Sequence, residues 1–207
     1  CAYNINLQNT TDAIGLKESS AYPANPEDGY GWEKLFSERM CTHFHEDYGL
    51  DVKIARYHNI FGPNGTYEGG REKAPAALSR KIIEAENKNE NKINVWGDGK
   101  QTRTFLYIED CIEATLNLFN SKYNKPLNIG SEELVSINQM IEMLEKIANK
   151  KFKKKYELDK PKGVRGRKSD NKLIKEVLNW EPKYKLFDGL KITYQWIKED
   201  INKKHNQ

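Results

Sequence analysis

Short apolar runs that stop on breakers, each followed by a stretch of helical period, recur along this chain. That alternation restricts the fold more than any other feature. Over residues 26–48, Tyr30, Leu35, Phe36, Met40 and Phe44 recur at three-to-five spacing, and Gly49 sits where a C-terminal cap belongs. Residues 52–57 alternate as a strand does and run into His58-Asn59-Ile60-Phe61-Gly62-Pro63, a strand end followed by breakers. A helix is predicted over 74–86, with Pro75 in its first turn, then a polar connector over 87–92. Ile93 to Gly99 reads as a strand ending in a tight turn, 102–107 as a second short strand, and 110–119 as a helix. Leu127-Asn128-Ile129-Gly130-Ser131 is another strand end, ahead of a helix over 136–148. A strand near 152–158 and an amphipathic helix over 186–202 close the series, while residues 1–26 show no helical period. Strands alternating with helices predict an α/β fold.

The 207 residues suffice for one large domain or part of a two-lobed one. Hydrophobic residues make up 37%, enough for a core, yet the apolar runs fall far short of the roughly 20 residues of a membrane helix. No membrane partner is expected. Cys1, Cys41 and Cys111 are widely spaced and make neither a disulfide framework nor a zinc pattern, which fits a reducing, cytoplasmic setting. His43 and His45 are two apart in a helix and face apart, so no metal site is expected. The net charge of +4 is close to balance. The lysine cluster at 150–155 reads as solvated surface, and no nucleic-acid partner is expected.

Chemistry enters with Tyr30-Gly31-Trp32-Glu33-Lys34. Residues i and i+4 share a helix face, so the Lys34 charge acts on the Tyr30 phenol or on what is bound beside it. A nearby cation favours the phenolate, which a base working on an alcohol at neutral pH requires. Gly62 to Lys73 forms a loop after a strand, with Gly62, Gly65, Gly69 and Gly70, and is a candidate site loop. His58 reads as a packed strand-end histidine, and Trp32, Trp96, Trp180 and Trp196 as core or interface aromatics.

Tyr30-x-x-x-Lys34, Arg56-x-x-Asn59-x-x-Gly62-Pro63, Gly97-Asp98-Gly99-x-x-x-Arg103 and Asn128-Ile129-Gly130 stand in the order found in one enzyme group. The chain resembles the extended short-chain dehydrogenases/reductases, which modify nucleotide sugars. Residues 69–77, 96–103 and 163–171 resemble in particular the branch acting on GDP-mannose. The resemblance implies the C-terminal part of a Rossmann-type doubly wound parallel sheet with a smaller α/β substrate-binding lobe. The N-terminal dinucleotide-binding half, with its glycine-rich turn, would precede Cys1. About 1–60 and 105–130 would return to the Rossmann core, and about 61–104 and 131–207 would be mainly substrate lobe.

The same resemblance implies NAD as cofactor and a GDP-sugar as substrate, inverted at C3 and C5 through a 4-keto intermediate, in a homodimer. Tyr30 would be the base for the C4 hydroxyl. Lys34 would lower the pKa of Tyr30 and hold the nicotinamide ribose. Cys1 and Lys73 would be the acid/base pair at C3 and C5, with Arg71 supplying like charge beside Lys73. Substrate contacts would come from Cys1, Asn59, Glu72, Lys73, Ala74, Lys81, Gln101, Thr102, Arg103 and Arg167. Arg103, Lys81 and Arg167 would cradle the diphosphate. The rival readings are a 4-epimerase, dehydratase or decarboxylase of the same superfamily, and a non-catalytic binding relative.

Overall fold

Local chemistry starts and stops the helices close to where periodicity places them. In this computed structural model, residues 2–70, 72–160 and 163–205 are described. The strands are β1 (Gly15–Leu16), β2 (Ile54–Tyr57), β3 (Ile60–Phe61), β4 (Lys92–Trp96), β5 (Thr102–Thr104), β6 (Leu106–Tyr107), β7 (Pro126–Ile129), β8 (Leu134–Ser136), β9 (Lys153–Glu157) and β10 (Gly166–Ser169). The α-helices are α1 (Gly29–Tyr48), α2 (Ala74–Asn87), α3 (Ile108–Asn120), α4 (Ile137–Ala148), α5 (Lys172–Leu178) and α6 (Leu186–His205), and single 3-10 turns over Ile5–Gln8 and Glu18–Ala21 interrupt the N-terminal segment, too short to show a period. The Asp28 carboxylate accepts from the Gly31 N–H at 2.9 Å and opens α1 three residues later than the sequence predicts. Gly49, at φ 67°, closes it. Ser136 and Gln139 form a reciprocal capping box on α4.

Pairing is mostly parallel: β2 with β7, β3 with β6, β4 with β9, and β1 with β10 with β5, while β8 joins β5 antiparallel. Parallel strands linked through helices are the α/β arrangement the sequence predicts. The predicted single strand over 102–107 is instead two. β5 pairs with β10 and β8, and after the buried Phe105 the chain changes partner so that β6 pairs with β3. A matching jog separates β2 from β3. Asn59 takes φ 48° there, a left-handed conformation that asparagine tolerates better than most residues, and its carbonyl accepts from the Leu106 N–H.

Three apolar clusters hold the fold. The largest joins α2, α4 and α6 with Phe61, Ile93, Val95, Phe105 and Tyr107. A second packs Leu106, Ala114, Leu118, Leu127, Ile129, Ile174 and Trp180, and a third joins Ala2, Tyr3, Leu16, Ala21 and Leu35. The first of α1's apolar positions behave differently from one another: Leu35 is buried, while Trp32, Phe36, Met40, Phe44 and Tyr48, each four apart, are exposed. Among the described residues no helix is long and apolar enough to cross a membrane.

Candidate functional site

Two cavities adjoin where the strand jogs meet. The larger, of about 490 Å³, lies between the start of α2, the end of β4, and β5 and β10. The smaller, of about 380 Å³, lies between α1 and β2 and includes Tyr3, Tyr30, Lys34, Arg56 and His58. Asn59 and Arg167 line both. Asn59 is fixed by its side-chain N–H bond to the Thr104 carbonyl at 2.9 Å.

Of the residues the sequence singles out, Asn59, Glu72, Lys73, Ala74, Lys81, Gln101, Arg103 and Arg167 line the larger cavity. Lys73 is exposed and stands at the N-cap position of α2 without a capping bond from its side chain. Tyr30 and Lys34 line the smaller one. Thr102 lines neither: its hydroxyl donates to the Thr11 carbonyl at 2.6 Å, tying β5 to the N-terminal segment. Cys1 and Arg71 lie outside the described residues. Trp96, read as core or interface, is 46% exposed and edges the larger cavity with the Lys81 ammonium 5.4 Å from its ring centre. Its place at the end of an exposed-buried alternation in β4 puts it on the solvent face. Arg80, Phe105 and Ile137 also line this cavity and were not singled out. Arg80 pairs at 3.3 Å with Glu72, which precedes α2, a contact that no spacing in the sequence marks.

The larger cavity concentrates positive charge that nearby carboxylates neutralise only in part. Arg103 is half-buried and donates to two carbonyls, Thr102 at 2.7 Å and Val164 at 2.5 Å, and forms no ion pair among the described residues. Burial first, then the neighbouring charge of Arg167, brings its pKa down to about 10. Burial likewise lowers Arg167, whose Nε donates to Gln8 and whose only carboxylate neighbour within ion-pair reach, among the described residues, is Glu27 at 3.8 Å. Lys81 is lowered by burial and by Arg80. An anion brought among them would relieve their mutual repulsion.

Acceptors stand in the same cavity. Glu72 Oε2 and Gln101 Oε1 are buried without a hydrogen-bond partner, an arrangement that ligand N–H or O–H groups would satisfy. Burial works to raise the Glu72 pKa, but backbone N–H groups of Glu72 and Gly70 with the Arg80 guanidinium outweigh it and hold the carboxyl below its usual range. The cavity thus suits a ligand with a negatively charged middle and hydrogen-bond donors around it.

In the smaller cavity, the Lys34 ammonium lies 4.9 Å from the Tyr30 ring centre and 3.0 Å from Glu33, which raises its pKa. Tyr30 is 57% exposed, so its phenol is open to a ligand. His58 is 3% exposed, as expected of a packed strand-end histidine, and burial brings its pKa down to about 3. A phenol and an ammonium on one helix face, open to a cavity, fit the ribose and reactive end of a nicotinamide cofactor. The chain contains no glycine-rich turn of the G-x-G-x-x-G type for the pyrophosphate.

Residues 9–130 match the NAD dependent epimerase/dehydratase family. GDP-mannose 3,5-epimerase of Arabidopsis thaliana is 49% identical over 98% of this chain and 52% of its own length. The UDP-glucose 4-epimerase of Thermotoga maritima, solved with UDP-glucose, superposes with a TM-score of 0.83 at 25% identity, over 96% of this chain and 62% of that one. The UDP-glucuronic acid 4-epimerase of Bacillus cereus, solved with UDP-glucuronic acid and NAD, gives 0.77 at 28% identity, over 95% and 60%. The chain spans about half the length of the curated relatives it matches.

Proposed function

The chain belongs to the NAD-dependent epimerase/dehydratase family, and from that premise we propose that the protein inverts C3 and C5 of GDP-mannose through a 4-keto intermediate. One observation carries the reading: a cavity that holds Arg103 and Lys81 without ion pairs among the described residues, beside orphaned acceptors, shares Asn59 and Arg167 with the cavity that Tyr30 lines. A nucleoside-diphosphate sugar brings two phosphates for Arg103, Arg167 and Lys81, and hydroxyl and N–H donors for Glu72 and Gln101. The 49% identity to a GDP-mannose 3,5-epimerase supports the choice of sugar.

NAD, when bound, supplies reversible hydride exchange at C4. Tyr30 takes the proton of the C4 hydroxyl, and Lys34 supports it once its ammonium leaves Glu33 for the phenol or the cofactor ribose. A ketone at C4 makes the C3 and C5 hydrogens acidic by enolate resonance. Lys73 and Cys1 then remove and return protons on opposite ring faces. A 4-epimerase needs no such second pair, which is why Lys73 and Cys1 favour this reading over the other sugar nucleotide enzymes. The cofactor side comprises about 1–60 and 105–130, the substrate side about 61–104 and 131–207, and the partner is a second copy of the chain.

The test is incubation of the full-length protein with GDP-mannose and NAD in heavy water, with the label located by NMR. Deuterium is expected at C3 and C5. With Lys73→Ala and Cys1→Ala combined, C4 oxidation persists and the label disappears; Tyr30→Phe stops the cycle before any exchange. Label absent from both carbons in the unaltered protein, or normal labelling in the double variant, overturns the assignment.

A further inference from the structure

The lysines of the β4–β9 pair have no part in the site so far. Their register sets Lys92 opposite Lys153 and Asn94 opposite Lys155, and residues paired in this way share a face. All three lysines are exposed. Lys92 and Lys153 are thus like charges directly opposite on a sheet face, a pairing that is destabilising. Among the described residues none of the three, nor the nearby Lys88, forms an ion pair with a carboxylate.

The ladder is continuous with the larger cavity. Lys88, Lys92 and Lys155 edge an open depression of about 370 Å³ whose lining also includes Arg80 and Lys81. Both of these line the larger cavity too. Lys81 spans the boundary: its ammonium donates to the Asn94 carbonyl at 3.0 Å and lies over Trp96. The acidic residues of the depression are Glu84, which is paired with Arg80, and Glu90. Glu157, opposite Trp96 and accepting from the Asn94 side chain at 3.2 Å, adds one carboxylate on the ladder's face, and the cations still outnumber the carboxylates along a path from open solvent to the cavity mouth.

We propose that Lys92, Lys153 and Lys155 form a capture surface that draws the phosphate-bearing ligand to the Trp96 mouth and speeds its entry. Exposed charges act over about 10 Å at 0.1 M salt, so they help only beside the entrance they serve, where the shared Arg80 and Lys81 place them. A surface of one sign raises association rates by roughly tenfold or more and does so less as salt rises. This role rests on the nucleotide-sugar reading of the larger cavity.

The experiment is stopped-flow tryptophan fluorescence on the full-length protein with GDP, at about 20 mM and about 300 mM salt. In the Lys92→Gln, Lys153→Gln, Lys155→Gln triple variant, GDP should associate about tenfold more slowly at low salt and dissociate at the unaltered rate. The two proteins should converge at high salt. Uncharged guanosine should enter both equally fast, and the thermal midpoint should stay level or rise as repulsion is relieved. Unaltered GDP association and salt dependence in the triple variant, or a lower thermal midpoint, overturns the capture role while leaving the cavity reading intact. The cavity reading itself fails separately, taking capture with it, if the unaltered protein does not bind GDP or if Arg103→Ala binds it equally well.

Discussion

His58 illustrates how a single side chain ties the site to the solution around it. It is packed against Tyr3, with ring centres 5.5 Å apart, and its Nε2 lies 3.3 Å from the Asn128 side-chain oxygen, which also accepts from the Tyr3 hydroxyl. Burial brings its pKa to about 3, against an ordinary value near 6.5. Below the ordinary value the unfolded chain takes up a proton that the folded protein refuses. Stability contributed by neutral His58 is therefore complete above pH 6.5 and is lost as pH falls from there toward 3, at up to about 1.4 kcal/mol per pH unit. Urea unfolding of the unaltered protein and of His58→Phe at pH 7, 6 and 5 reads this directly. The difference in stability between them should shrink toward acid in favour of the variant, and parallel pH profiles would show that His58 is not the group responsible. The packed histidine was legible in its sequence place at a strand end. Its neighbours were not, because Tyr3 and Asn128 are 125 residues apart and meet only through tertiary packing.

Among the elements, β10 matters most to the site and was the least visible. Gly166-Arg167-Lys168-Ser169 has no apolar alternation, so its period predicts no strand, yet it lies between β1 and β5 and carries Arg167 into both cavities. What its sequence does display is Gly166. A Cβ there would come within 2.1 Å of the Thr10 carbonyl oxygen and 2.9 Å of the Ala13 Cβ, and the first of these is backbone that cannot swing aside. Gly166→Ala should cost about 1–3 kcal/mol, as overpacking does, and weaken GDP binding by displacing Arg167. Urea midpoints and GDP titration measure the two effects, and wild-type values for both would mean that the N-terminal segment moves freely away from β10. By contrast, α2 and α4 were legible throughout, since Pro75 at the start of one and the Ser136 capping box of the other act locally. The split of β5 from β6 was hidden for the opposite reason: a change of strand partner leaves no mark on hydrophobic period.

At the scale of the molecule, the exposed row on α1 is the largest feature without a role inside the chain. Trp32, Phe36, Met40, Phe44 and Tyr48 lie along one side, and α3 adds exposed Ile112, Leu116 and Phe119. Tyr57, on β2, reaches Thr115 on α3, and Asn124, just beyond α3, bonds His45 on α1, so the two helices flank the same strands. Exposed apolar rows of this kind suit an interaction site, and a two-fold contact between copies would bury both rows at once. The expected outcome is a dimer of the full-length protein that Trp32→Lys with Phe36→Asp converts to monomer, read by sedimentation equilibrium. A mass that the double variant leaves unchanged would assign the row to some other contact.

Asn59 and Arg167 act as a party wall between two rooms. On the function proposed above, a disturbance at either would reach both the Tyr30 side and the phosphate-holding side, so neither residue could be given a share of binding apart from a share of turnover. Trp96 and Tyr30 each open onto a single room, and changes there keep the two ledgers separate.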